Sequence, residues 1–240
     1  VAAAGTSPVI AFFDVDNTLL RGASAYYVGR AAFKRGLISW RDVSVFAWHQ
    51  FRFVAVGENH RHLRHARTRA LGLIQGHRRD DIVALTRDVY VDDIVPNLLA
   101  EMVDRAKAHL ADGHEVWLVT ATPTLIADVI VEGIGVTGAL GTGVELTDDG
   151  RFTGEILGDL MHGAAKARAA ADFAAARGIA LADCSAYSDS ANDIPLLESV
   201  GHPVAVNPDK RLAAVAAERG WPVIEVRRAT PRRRRAVRPR

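Results

Sequence analysis

Asp14 and Asp16 close the apolar run Val9-Ile10-Ala11-Phe12-Phe13, and Asn17 and Thr18 follow them. Two carboxylates two residues apart, with no basic neighbour within four residues, favour a cation between them. At the end of an apolar strand they point to a Mg²⁺ and phosphate site, because ligands of open α/β sheets bind at the carboxyl ends of strands. The same residues also suit a turn, whose backbone amides Asp, Asn and Thr side chains accept from. More distant groups weigh on the choice. Thr120 ends the run Glu115-Val-Trp-Leu-Val-Thr120, Lys166 stands near the start of an alanine-rich stretch, and Asp189 to Asp193 follow a third apolar run. Phosphoryl transfer needs such a set: a nucleophile, fixed positive charge for the phosphoryl oxygens, a proton donor for the leaving oxygen, and metal ligands.

These groups meet only if strands and helices alternate. Residues 9–13 are apolar without interruption, the pattern of a strand buried on both faces. Residues 97–111 have helical period and stop at Asp112-Gly113; residues 115–120 form a second buried strand, and residues 123–132 the next helix. Gly133-Ile-Gly135-Val-Thr-Gly138 spells the dinucleotide fingerprint, but it follows a helix instead of a strand, so it reads as a helix stop and loop. Residues 144–157, split by Asp148-Asp149-Gly150, predict a hairpin. A helix over 164–177, a strand over 183–188, a helix over 194–200, a strand over 203–206, a helix over 210–219 and a last strand over 222–226 complete the chain. Strands separated by helices in this order imply a doubly wound parallel sheet.

Residues 21–95 interrupt that alternation with a helical pattern. Trp40, Phe46, Trp48, Phe51 and Phe53 crowd one part of it and predict the core of a small helical bundle. His60, His62, His65 and His77 invite a metal reading, yet Arg61, Arg64, Arg67 and Arg69 stand among them and would repel a cation. A basic face that draws an anionic substrate toward the acids is the better expectation.

Composition narrows the function classes. The 30 basic residues include eight arginines after Val226, which leaves 22 against 28 acids and a charge of −6 on the remainder. The basic pI therefore belongs to the tail, residues 227–240, and predicts no nucleic-acid partner for the folded part; the tail itself suits a disordered end or weak contact with anionic surfaces. No stretch approaches the ~20 apolar residues of a membrane span. The first residues lack a basic n-region, so a cytoplasmic address is expected. A single cysteine, Cys184, excludes an internal disulfide and reads as a small core residue.

Asp14-Val-Asp16-Asn-Thr18-Leu resembles the first motif of the haloacid dehalogenase (HAD) superfamily of phosphohydrolases. Leu118-Val-Thr120-Ala looks like the second motif, Lys166 like the third, and Ser188-Asp189-Ser190-Ala191-Asn192-Asp193 like the fourth, with serines where glycines are usual. Arg151-Phe-Thr153-Gly154-Glu155 and Ile194-Pro195-Leu196-Leu197 are similar to the phosphoserine-phosphatase-like branch. The resemblance implies a Rossmann-like α/β core formed by residues 1–20 and 96–226, and an inserted all-helical cap formed by residues 21–95. It implies a Mg²⁺-dependent phosphomonoesterase acting on a small phosphate ester, with Asp14 as the nucleophile that becomes an aspartyl-phosphate. Asp16 would protonate the leaving alcohol and later activate water. Asp14, the backbone carbonyl of Asp16, and Asp189 would hold Mg²⁺; Thr120 and Lys166 would bind the phosphoryl group, and Asn192 and Asp193 would position Lys166 and the metal shell.

Phosphoserine is the substrate that this branch suggests. Its enzymes usually carry a glutamate nine residues after the nucleophile for the ammonium, and here that residue is Ala23. Arg67 or Arg69 could meet the carboxylate, while an apolar ester suits the aromatic cap. A phosphotransferase using the same intermediate is an open alternative. A phospho-accepting signalling domain fits less well, because it carries its aspartate after a middle strand and has no long insertion.

Overall fold

The computed structural model describes residues 9–38 and 74–226. The aromatic run, His60, His62, His65, Arg67, Arg69 and the arginine tail lie outside the described residues. Seven strands form one sheet: β1 (Ile10–Phe13), β2 (Glu115–Pro123), β3 (Gly138–Leu146), β4 (Phe152–Leu157), β5 (Ser185–Ser188), β6 (His202–Val206) and β7 (Val223–Ile224). Their order is β4-β3-β2-β1-β5-β6-β7, parallel throughout except for the edge hairpin of β3 with β4.

β1 lies at the point where the winding reverses. It pairs with β2 on one side (Phe13 with Leu118) and with β5 on the other (Phe13 with Tyr187). Its four residues are fully buried because the alternation of a strand sends them to two cores. Ala11 and Phe13 join the core with Leu118, Ile82, Met102 and Ile130; Ile10 and Phe12 join the opposite one with Ala170, Leu196 and Leu212. The first core is covered by α1 (Ser24–Lys34), α2 (Arg79–Val89), α3 (Ala100–Ala111) and α4 (Thr124–Ile134). The second is covered by α5 (Ala164–Ala175), α6 (Ile194–Ser199) and α7 (Lys210–Arg219). Helices on both faces of a mostly parallel sheet make this the expected doubly wound α/β architecture. Cys184 is buried in the second core.

Several boundaries differ from the sequence reading; the last strand, for one, spans only Val223–Ile224. β2 continues past Thr120 to Pro123, with a register irregularity against β3 between Val119 and Pro123. The glycine run is a helix stop as expected, with Gly135 left-handed at the end of α4, but it is not all loop. Gly138 already pairs with Trp117, and any side chain there would collide with the Trp117 ring. Between α2 and α3 the chain makes a π-helical turn (Tyr90–Ile94) and a short 3₁₀ turn (Val95–Asn97), so α3 starts three residues later than its pattern suggests. Pro96 removes a helical donor at that junction.

Candidate active site

Asp14, Lys166 and Asp193 meet at the carboxyl ends of β1 and β5. The Asp14 amide donates to Tyr187 O at 2.9 Å, which extends the β1–β5 ladder by one bond and fixes where the carboxylate projects. Lys166 Nζ donates to Asp14 Oδ1 at 2.5 Å and to Asp193 Oδ2 at 2.7 Å. α5 presents Lys166, Ala170 and Ala174 as its buried stripe, four residues apart, so the lysine is the end of a core-facing row that reaches the strand termini. Thr18 Oγ1 donates to Asp14 Oδ2 at 3.2 Å, and Ser188 Oγ to Asp193 Oδ2 at 2.8 Å. Thr18, Lys166, Ser188 and Asp193 are each at most 3 % exposed, so this network lies out of bulk solvent, where its charge pairing is strong.

Asp16 faces another way. Its Oδ1 accepts from both the backbone amide and the hydroxyl of Ser24, each at 2.8 Å. Ser24 opens α1 and has no cap from Ala23, so Asp16 satisfies a helix-start amide from eight residues away. The Ser24 hydroxyl lies 2.7 Å from Thr122 Oγ1, and Thr120 Oγ1 accepts from the Thr122 amide at 3.2 Å. The first two motifs are thus joined through the start of α1. Asn17 has a positive φ of 63° and accepts from the Gly22 amide. The residues after β1 are therefore a turn as well as a site.

A cleft of about 150 Å³ collects Asp14, Asp16, Thr120, Lys166, Asp189 and Asp193, with His162 and Asn192 at its wall. Asn192 directs its amide to Ser190 Oγ at 3.1 Å, so Asp193 is the member of that pair that touches Lys166. Asp209 accepts from the Ala191 amide and donates its own amide to Asp189 O, tying the loop of Asp189 to the start of α7.

Four carboxylates face one ammonium among the described cleft residues, and the electrostatics reflect the surplus. Burial pushes the Asp14 carboxyl up to about 6 against the pull of Lys166, with Asp193 and Asp16 adding repulsion. Burial, and then the charge of Asp14, pushes Asp189 up to about 7. Burial opposes the charge of Lys166, but Asp14 and Asp193 together hold its ammonium well above the ordinary lysine range. A hard cation relieves these carboxylates, so the donor set fits Mg²⁺. Among the described residues no three acidic, His or Cys side chains form a ready cage.

Ser24, Thr122 and Asp209 escaped the sequence reading, while Thr18, read there as part of a turn and of the first motif, also donates to Asp14. Ser24 and Thr122 are 98 residues apart, and nothing in either local pattern announces the contact. Asp209 was legible in principle, because an Asp before a helical stretch marks an N-cap, and it does cap α7.

The family model for haloacid dehalogenase-like hydrolases matches residues 11–198. The chain belongs to that family. Phosphoserine phosphatase SerB1 of Mycobacterium tuberculosis is 43 % identical over 235 residues, spanning 95 % of this chain and 76 % of its own. Histidinol-phosphatase of Neisseria meningitidis is 27 % identical over 228 residues, spanning 90 % of this chain and 97 % of its own. A solved structure of a protein of unknown function from Bordetella pertussis superposes with a TM-score of 0.81 at 33 % identity, covering 92 % of this chain and all of that one. Within the HAD-like hydrolases this chain is a phosphatase, and the opening expectation of family and reaction class holds. No helix among the described residues is long and apolar enough to cross a membrane.

Proposed function

We propose that this phosphatase hydrolyses a small phosphate monoester through an aspartyl-phosphate on Asp14, with Mg²⁺ held by Asp14, Asp189 and the backbone carbonyl of Asp16. The observation that carries this reading is the Asp14 carboxylate at the end of the central strand, held between Lys166 and Thr18. An Asp14 oxygen attacks phosphorus while the ester oxygen leaves with a proton from Asp16. Asp16 then takes a proton from water, which attacks the aspartyl-phosphate, releases phosphate and restores both carboxyl groups. Thr120 and Lys166 bind the phosphoryl oxygens, and Asp193 holds Lys166 against the site. The bound cation supplies positive charge that offsets the phosphoryl oxygens as nucleophile and phosphate approach. Residues 21–95 serve as the cap; their described part is helical, and α1 both anchors Asp16 and packs against the first core.

Phosphoserine is a second reading, favoured by the name of the mycobacterial relative. Ala23 speaks against it, because it offers no carboxylate to an ammonium.

Mg²⁺ binding to the free protein should release protons. Asp14 and Asp189 have raised pKa values of about 6 and about 7, so below these values each carries a proton that a metal must displace. Affinity therefore rises with pH through this window, by up to about tenfold per unit for each proton displaced, and flattens above it. Calorimetric titrations in buffers of different ionisation enthalpy count those protons, and a pH-independent affinity would contradict the assignment. Turnover should stop in excess chelator and return with Mg²⁺.

Ser24→Ala removes one of two donors that hold Asp16. A hydrogen bond to a charged group contributes about 1.5–3 kcal/mol, so phosphorylation by an alkyl ester should slow by about tenfold or more. A nitrophenyl ester needs no proton on its leaving group and should lose much less in the same step. Single-turnover rates with the two esters test this, and equal losses would show that Ser24 serves only the fold.

A further inference from the structure

A second cavity, of about 260 Å³, opens beside the catalytic cleft and shares Asp16 and Ala121 with it. Its walls come from α1, α2, β2, α4 and the approach to α5. Val28, Gly29, Ala32, Ile82, Ile126 and Leu160 are among its lining residues. Asp16 is the only charged group among the described lining residues. The polar groups beside it are already paired, Thr122 with Ser24 and Thr142 with Ala121 O. Gly29 lies in the interior of α1, where glycine weakens a helix, and a Cβ there would meet no described residue within 4 Å.

From these observations we infer that the cavity receives the leaving group of the ester, and that this group is an uncharged, apolar alcohol with about the bulk of an aromatic ring. The inference rests on the proposed role of Asp16 as proton donor to the leaving oxygen. With the phosphoryl group beside Asp14, Thr120 and Lys166, the proton donor of the leaving oxygen is Asp16, which lines both the cleft and the apolar cavity. A cavity of ~150 Å³ lined by apolar side chains accommodates benzene, so 260 Å³ leaves room for a ring and a short linker. Among the described lining residues, an amino-acid leaving group would find no side chain to meet both its ammonium and its carboxylate, since Asp16 is engaged by Ser24 and by the reacting oxygen.

The test compares 2-phenylethyl phosphate with O-phosphoserine, both primary alkyl esters, on the full chain with Mg²⁺. The phenylethyl ester should have the higher kcat/KM by at least about tenfold. Acetyl phosphate, whose small activated leaving group makes little use of the cavity, reads the chemistry separately. In Gly29→Leu, the ratio of kcat/KM for 2-phenylethyl phosphate to that for acetyl phosphate should fall by about tenfold or more. Calorimetry with 2-phenylethylphosphonate against the phosphonate analogue of phosphoserine reads the cavity without turnover, and the apolar analogue should bind more tightly. If acetyl phosphate is not hydrolysed while that binding preference holds, the reaction assigned above is wrong and the cavity assignment stands. Hydrolysis of acetyl phosphate with phosphoserine equal or preferred overturns the inference, as does equal binding, no binding of either analogue, or an unchanged ratio in folded Gly29→Leu. The wild-type comparisons decide the matter even if that variant does not fold.

Discussion

Asp14→Asn should abolish hydrolysis of every phosphate ester and leave no phosphorylated protein, while the fold persists. An amide oxygen at this position cannot form the acyl phosphate, and removing a covalent nucleophile leaves only residual catalysis from binding and electrostatics. The fold persists because Lys166 keeps Asp193 as a partner and Ser188 still holds Asp193. Asp14 also costs the metal-free protein stability at neutral pH. A carboxyl raised from 3.8 to about 6 by burial favours folding below its unfolded value, and that contribution is lost as pH rises through the folded one. The variant should therefore unfold at or above the parent temperature in a metal-free scan at neutral pH. A large drop in that temperature, or any accumulation of phosphoprotein, would count against the assigned role.

Lys166→Met should fail differently, losing both rate and stability. Lys166 is 3 % exposed and its ammonium bridges two buried carboxylates, so removing it leaves Asp14 and Asp193 facing each other without compensation. Breaking a buried pair on one side costs about 3–5 kcal/mol, and losing a preorganised charge on the phosphoryl oxygens costs about 10²–10³ in kcat. The stability loss should depend on pH in a defined direction. Unpaired buried carboxyls bind protons more tightly folded than unfolded, so the variant regains stability as pH falls from about 8 to about 5, where they can be neutral. Urea unfolding at the two ends of that range measures this, and a loss of equal size at both would mean that Lys166 matters for packing alone.

The central strand and the four motif groups were legible because each is a local signal. Val9 to Phe13 has no polar residue, and its charged neighbours appear abruptly where the strand ends. Lys166 could be placed on a helix from the alanine-rich pattern, though not its two partners, which lie 152 and 27 residues away. What escaped was set by tertiary contact. Gly138 looked like loop because glycine is poor in strands, yet here its missing side chain makes room for the Trp117 ring. Thr120 looked like the end of a strand because the polar residues after it, Thr122 and Thr124, break the apolar run; β2 nonetheless continues through an irregular register with β3. Ser24 carries no local signal, and its function, holding Asp16 against Thr122, needs the fold to bring three distant segments together. Ala23 was conspicuous in the sequence as a missing charge, and the structure adds an apolar cavity whose lining includes it.

The most direct test of an aspartyl-phosphate on Asp14 uses the variant Asp16→Asn, which keeps the nucleophile and lacks the group that would activate water. Mixed rapidly with nitrophenyl phosphate and Mg²⁺, it should release one burst of nitrophenolate, in proportion to protein, and then stall. Acid-quenched mass analysis should find the phosphoryl group on the peptide that contains Asp14. No burst, a phosphoryl group on any other residue, or steady turnover at the parent rate would contradict it.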